Sequence, residues 1–138
     1  MHIRPFERRD TDAVVALWQA RGLTRPWNDP VKDIERKLAV QPELFLVGEQ
    51  DGEVIATAMG GYDGHRGSVY YLATAAAHAG KGHGAALLAE LERLLTAMGC
   101  PKINLLVRGE NEGVLKFYDR LGYERHDSLS LGRRLIED

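Results

Sequence analysis

The sequence predicts an α/β fold of the α+β kind. A central mixed, mostly antiparallel sheet of six or seven strands is flanked by about four helices, in one domain over residues 1–138. Three observations predict it. Strand-like runs at 44–48 and 54–60 meet through Asp51-Gly52, a strong hairpin signal. A second half then reads strand, glycine turn, helix, strand, helix, the order that places a parallel pair beside antiparallel ones. The composition is 44% hydrophobic and 28% charged, ordinary for a globular chain with a proper core.

The elements follow in order. Residues 3–6 read as a short first strand. Asp10 or Thr11 can cap a helix to about Arg21, stopped by Gly22, with Val14, Leu17 and Trp18 at helical spacing. Residues 23–28 hold Pro26 and Trp27 and read as loop. Asp29 caps the next helix, Pro30 suits its first turn, and Val31, Ile34 and Leu38 make its apolar stripe. The hairpin follows, then a glycine-rich turn at 60–67 and a strand at 68–74. A helix runs over 85–98 and ends at Gly99. Pro101 precedes a strand at 103–107. Asn111 caps a helix from Glu112 to about Leu121, stopped by Gly122, and 123–135 reads as one or two last strands.

The bulk numbers exclude several classes of function. A net charge of −2 and a pI near 6.2 argue against a nucleic-acid binder that relies on a basic field. One cysteine, Cys100, leaves no intrachain disulfide and no multi-cysteine metal site, which points to a reducing, cytoplasmic setting. The N-terminus MHIRPFERRD has no apolar leader, and no apolar run reaches the ~20 residues that cross a bilayer.

The most informative stretch is Ala79-Gly80-Lys81-Gly82-His83-Gly84, between the 68–74 strand and the 85–98 helix. Glycines that turn a strand into a helix leave free N–H groups at the positive end of the helix dipole, a setting that suits phosphate. Three phosphate ligands compete. A nucleoside-triphosphate loop requires Gly-x4-Gly-Lys-Ser/Thr, but Ala75 stands where its first glycine belongs and Gly82 follows Lys81. A dinucleotide fingerprint matches formally at Gly80, Gly82 and Ala85. It lacks its context, because antiparallel hairpins precede it and the 103–107 strand carries no acid. The third ligand is the pyrophosphate of coenzyme A.

Here the chain resembles the GNAT superfamily of acyl-CoA-dependent N-acetyltransferases, and within it the small bacterial members. Two motifs carry the resemblance. One is the family's Q/R-x-x-G-x-G/A loop, here residues 79–84 followed by Ala85, Leu87 and Leu88. The other is its N…FY…LGY block, here Asn111, Phe117-Tyr118 and Leu121-Gly122-Tyr123, about thirty residues on. The loop departs from the family at its head, where Ala79 replaces Gln or Arg, so pyrophosphate binding must rest on backbone donors.

The resemblance implies a single N-acetyltransferase domain. Its cosubstrate is acetyl-CoA, no metal is needed, and a small-molecule or peptide amine attacks the thioester directly. It implies cofactor contacts from Leu72, Ala73 and Thr74 along a splayed strand, from Ala79, Gly80, Lys81, Gly82, His83 and Gly84 in the loop, and from Asn111. It implies that Tyr118 is catalytic and protonates the departing thiolate. Tyrosine with a pKa of about 10 stays protonated at neutral pH, above a thiol at about 8.5. On the acceptor side the candidates are Trp27 and Tyr70.

Each residue also has a plainer reading. The glycines can be turn formers, Asn111 a helix cap, Phe117-Tyr118 an aromatic pair, Trp27 a loop anchor and Cys100 an inert buried thiol. No glutamate marks a general base on the strand before the loop; Asp63, His65 and the tyrosines remain candidates. Residues 128–136 can add a strand to a second copy, a route to a homodimer. The rival from another class is a non-catalytic acyl-CoA-binding sensor.

Overall fold

The computed structural model describes residues 1–138. Its contacts group them into two compact units, Met1–Asn104 with Asp138, and Leu105–Glu137.

The first unit is one five-stranded sheet covered on both faces. In chain order it holds β1 (His2–Pro5), α1 (Thr11–Ala20), α2 (Pro30–Leu38), β2 (Phe45–Gln50), β3 (Glu53–Tyr62), β4 (Gly67–Thr74), α3 (His83–Ala97) and β5 (Ile103–Asn104). The strands lie in the order β1-β2-β3-β4-β5. The first three pairings are antiparallel and β4–β5 is parallel, with α3 as the crossover.

Strand alternation assigns the two cores. Phe45, Val47 and Met59 join Phe6, Val14, Trp18, Ile34 and Ala73 beneath α1 and α2. The alternate face receives α3 through Leu87, Leu88, Leu91 and Leu95, all 0–1% exposed. A Cβ on Gly60 would lie 2.8 Å from Leu91, so glycine there lets α3 approach the sheet.

The caps show how closely side-chain chemistry sets the helix starts. Asp29 accepts from the N–H groups of Val31 (2.9 Å) and Lys32 (3.4 Å), as the sequence suggests for α2. Asp10 does not cap α1 with its side chain. Its carboxylate accepts from Arg4 at 2.8 and 2.9 Å and from the Glu7 N–H, because a guanidinium delivers two charge-assisted bonds where a cap offers one neutral bond. In α2 the apolar stripe narrows, since Ile34 is fully buried while Val31 is 43% exposed.

The second unit holds α4 (Glu112–Arg120). Asn111 caps it, accepting from the Val114 N–H at 3.3 Å. Gly122, at φ 86°, ends it in the left-handed conformation while Tyr123 N–H closes on the Tyr118 carbonyl at 3.0 Å.

Four sequence expectations need correction. The sheet has five strands rather than six or seven, and 123–135 forms none of them. The 103–107 run pairs only through Ile103 and Asn104. Alternating leucines supply a strand-like pattern, but a strand forms only with a paired edge and a face to bury. Leu129 and Leu131 are each 93% exposed and have neither. Cys100 is part-buried rather than buried.

Candidate functional site

The site begins with a mismatch in strand lengths. β4 has eight residues, but β5 pairs only with Gly67 and Ser68. From residue 69 to residue 74 the outer edge of β4 pairs with no strand, leaving a row of backbone donors and acceptors. Leu72, Ala73 and Thr74 lie on this edge.

A bulge shapes the same stretch. The register with β3 runs Thr57↔Ala73 and then Met59↔Tyr70, so Tyr71 and Leu72 together face Ala58. Tyr71 has φ 53°, a left-handed conformation that a tyrosine adopts only when its surroundings hold it. Three direct contacts, and the groups behind them, do so. Its ring stacks on Trp18 with centroids 3.7 Å apart, and its hydroxyl donates to Asp33 at 2.7 Å. Its carbonyl accepts from Thr57 Oγ1 at 2.7 Å, and Thr57 Oγ1 in turn accepts from Trp18 Nε1 at 2.9 Å. Asn28 joins from the α1–α2 loop, donating to Asp33 at 2.6 Å. Burial and the Asp33 carboxylate hold the Tyr71 phenol well above its ordinary pKa, so its proton stays in place.

Beyond β4 the chain makes one 3₁₀ turn (Ala76–His78) and enters the glycine loop. Gly80 and Gly82 have φ 76° and 82°, a region open to glycine at no steric cost. No side chain caps α3. The Ala86 N–H reaches the Gly82 carbonyl at 3.0 Å, so the N–H groups of His83, Gly84 and Ala85 precede the first helical bond. A Cβ on Gly80 or Gly82 would meet nothing within 4 Å, so the approach to these amides is open. His78, just before the loop, buries its Nδ1 with no hydrogen-bond partner, the one such side-chain atom in the chain. Its ring lies 6.2 Å from that of His83. Open amides at a helix N-terminus fit an anionic group.

The structure thus brings Leu72, Ala73, Thr74, Ala79, Gly80, Lys81, Gly82, His83 and Gly84 into one continuous stretch of the first unit. Tyr70, 53% exposed, and Trp27, 60% exposed in the α1–α2 loop, are open to solvent in that unit. Asn111 and Tyr118 belong to the second unit. There Tyr118 is 9% exposed, with its ring edge-on to Phe117 and Tyr123 at 5.1 and 5.4 Å. Burial pushes its pKa up to about 12.

Of the candidate bases, Asp63 is a turn residue. Its Oδ1 accepts from the N–H groups of His65 (2.8 Å) and Arg66 (2.7 Å), which lowers its pKa and weakens it as a base. The sequence reading missed Thr57, Asp33 and His78. The lone histidine in an alanine run was a visible signal; the other two depend on contacts distant in sequence. No group of three or more His, Cys, Asp or Glu side chains is placed to hold a metal ion, and no helix is long and apolar enough to cross a membrane.

Comparison with known proteins gives a consistent result. The model of the acetyltransferase (GNAT) family matches residues 12–123. An acetyltransferase from Sodalis glossinidius is 55% identical over 139 residues, covering 100% of this chain and 98% of that protein. One from Pectobacterium atrosepticum is 53% identical over 138 residues, with coverage of 100% and 98%. Among solved structures, a protein of Agrobacterium tumefaciens superposes with a TM-score of 0.80 at 21% identity. That match covers 97% of this chain and 100% of that one, and supports the fold.

Proposed function

The chain belongs to the GNAT acetyltransferase family and is an N-acetyltransferase; on that footing we propose that it transfers acetyl from acetyl-CoA to a primary amine by direct attack. Enzymes of this family use acetyl-CoA. The observation that carries the reading is the continuity of the open β4 edge with the uncapped N-terminus of α3. A ligand with an extended amide arm at one end and a pyrophosphate at the other matches that sequence of groups. We read the two units as parts of one acetyltransferase domain, at work in the cytoplasm.

In this reading the amides of residues 80–84 hold the pyrophosphate, with Lys81 adding charge. Ala79 contributes backbone only. The edge at Leu72, Ala73 and Thr74 pairs with the pantetheine amides, and Asn111 adds a contact while capping α4. One N–H of the bulged stretch points at the thioester oxygen as charge develops there; such a donor is worth about 3 kcal/mol in the transition state. Tyr118 returns a proton to the departing thiolate. This assignment rests on its chemistry and its motif: at a pKa of about 12 it carries its proton at every working pH. Trp27 and Tyr70 offer exposed aromatic surface to the acceptor. Most of the acceleration comes from holding the two reactants together.

Incubation with isotopically labelled acetyl-CoA and a panel of amines, read by mass spectrometry, tests the proposal. Labelled amide on at least one amine class is expected. Coenzyme A binding without transfer to any acceptor would favour the non-catalytic sensor instead.

A further inference from the structure

If acetyl-CoA lies as proposed, its reactive end arrives where β4 and β5 meet. The unpaired edge, residues 69–74, is about 17 Å long at ~3.3 Å per residue. Its far end is Ser68, the last residue of β4 paired with β5. On the α3 face this position is closed by core side chains: a Cβ on neighbouring Gly67 would lie 3.2 Å from Leu95 and 3.0 Å from Cys100 Sγ. In this reading the acceptor approaches from the α2 face.

On that face stands a cation with no partner. Gly61 is the β3 residue opposite Ser68. A Cβ placed on Gly61 would lie 3.7 Å from Lys37 Nζ and 3.3 Å from Ser68 Oγ. Lys37, in the last turn of α2, thus folds its ammonium back over the sheet at Gly61, the residue that Ser68 Oγ also approaches. It makes no hydrogen bond or ion pair, and Glu43 acts on it only at longer range. Gln41 is held by Tyr62, its Nε2 donating to the Tyr62 carbonyl at 2.8 Å and its Oε1 accepting from the Tyr62 N–H at 2.9 Å, and it makes no hydrogen bond to Lys37. A lysine in a last helical turn commonly interacts with the terminal carbonyls. That role does not require its ammonium over a glycine, where burial lowers its pKa.

We propose that Lys37 and Ser68, above the side-chain-free surface of Gly61, form the acceptor-recognition element of this enzyme and bind a carboxylate, so that the acceptor is an amine bearing a carboxylate, as in an α-amino acid. The inference rests on the acetyl-transfer reading for its position, and on the polar groups around Gly61 for its chemistry. One ammonium and one hydroxyl suit a monoanion; a phosphate dianion would call for more positive charge. The same cation favours the neutral form of an amine held beside it, which is the nucleophilic form.

The test compares α-amino acids with their decarboxylated amines as acceptors, and also follows the Gly61 and Ser68 amide resonances on addition of N-acetylglycine or N-methylacetamide. Amino acids should react with kcat/KM higher by about 10-fold or more, the usual weight of a charge-assisted pair. N-acetylglycine should shift both resonances, whereas N-methylacetamide should not. Lys37→Met should abolish the preference and the shifts, and Lys37→Arg should restore part of both; coenzyme A titration checks that each variant is folded. Equal or better use of decarboxylated amines, with no Lys37-dependent shift, overturns the inference. If no amine of either kind is acetylated, the acetyl-transfer reading fails, and the N-acetylglycine titration still decides whether Lys37 and Ser68 hold a carboxylate.

Discussion

Thr57 Oγ1 donates to the Tyr71 carbonyl at 2.7 Å while accepting from Trp18 Nε1 at 2.9 Å. One hydroxyl thereby ties helix α1 and strand β3 to the bulge of β4. Trp18 and Thr57 are both fully buried, so neither group has water as an alternative partner. In the proposed reading the bulge turns β4 backbone groups toward the cosubstrate, and its geometry rests in part on this contact.

Thr57→Val keeps the shape and removes the hydroxyl, leaving a buried indole N–H and a carbonyl unsatisfied. The expected cost is about 1–3 kcal/mol. In urea unfolding the midpoint should fall with an unchanged slope. Thr57→Ser, which keeps the hydroxyl, should restore most of the loss.

The glycine loop makes a second prediction. At Gly82, φ 82°, an alanine would be strained by about 1–2 kcal/mol. Relief of that strain turns the amides that begin α3. Gly82→Ala should weaken coenzyme A binding by roughly 10-fold, as calorimetry would register, and should unfold at a lower temperature than the parent.

Tyr118→Phe should lower kcat by at least ~10-fold with little change in coenzyme A affinity. Because burial pushes the Tyr118 pKa up to about 12, the rate of the parent enzyme should show no descending limb from this group across the neutral range. A variant that turns over at the parental rate would remove Tyr118 from the chemistry.

Stability should depend on acid through Asp10. The Arg4 hydrogen bond is the main cause of its lowered pKa, with the Glu7 N–H adding to it. A carboxylate whose folded pKa lies below its unfolded value of about 3.9 stabilises the fold above that value. The contribution is lost as pH falls through the folded value. Asp10→Asn should therefore destabilise the protein at neutral pH, by about 1.5–3 kcal/mol for the lost charge-assisted bonds. It should also flatten the acid side of the stability profile, as unfolding at a series of pH values would measure. Arg4 keeps its second partner, Glu49, at 2.7 Å.

Local chemistry made much of this fold legible. Asp51-Gly52 gave the hairpin, Asp29-Pro30 the start of α2, Asn111 and Gly122 the two ends of α4, because each signal acts within a few residues. The loop at 79–84 was legible for the same reason. What escaped depends on distant contacts. The bulge at Tyr71 arises from Trp18, Thr57 and Asp33, which lie 14 to 53 residues away in sequence. The fate of 123–135 turned on whether a sheet edge was available to it, and an alternating pattern cannot encode that.

The central claim is that backbone amides at 80–84 hold the pyrophosphate of coenzyme A despite Ala79 at the head of the loop. The most direct measurement is calorimetric titration at neutral pH with coenzyme A and with pantetheine, which keeps the arm and lacks the pyrophosphate. Coenzyme A should bind, and pantetheine should bind at least roughly 100-fold more weakly. Equal affinity for the two, or no binding of coenzyme A, would contradict it.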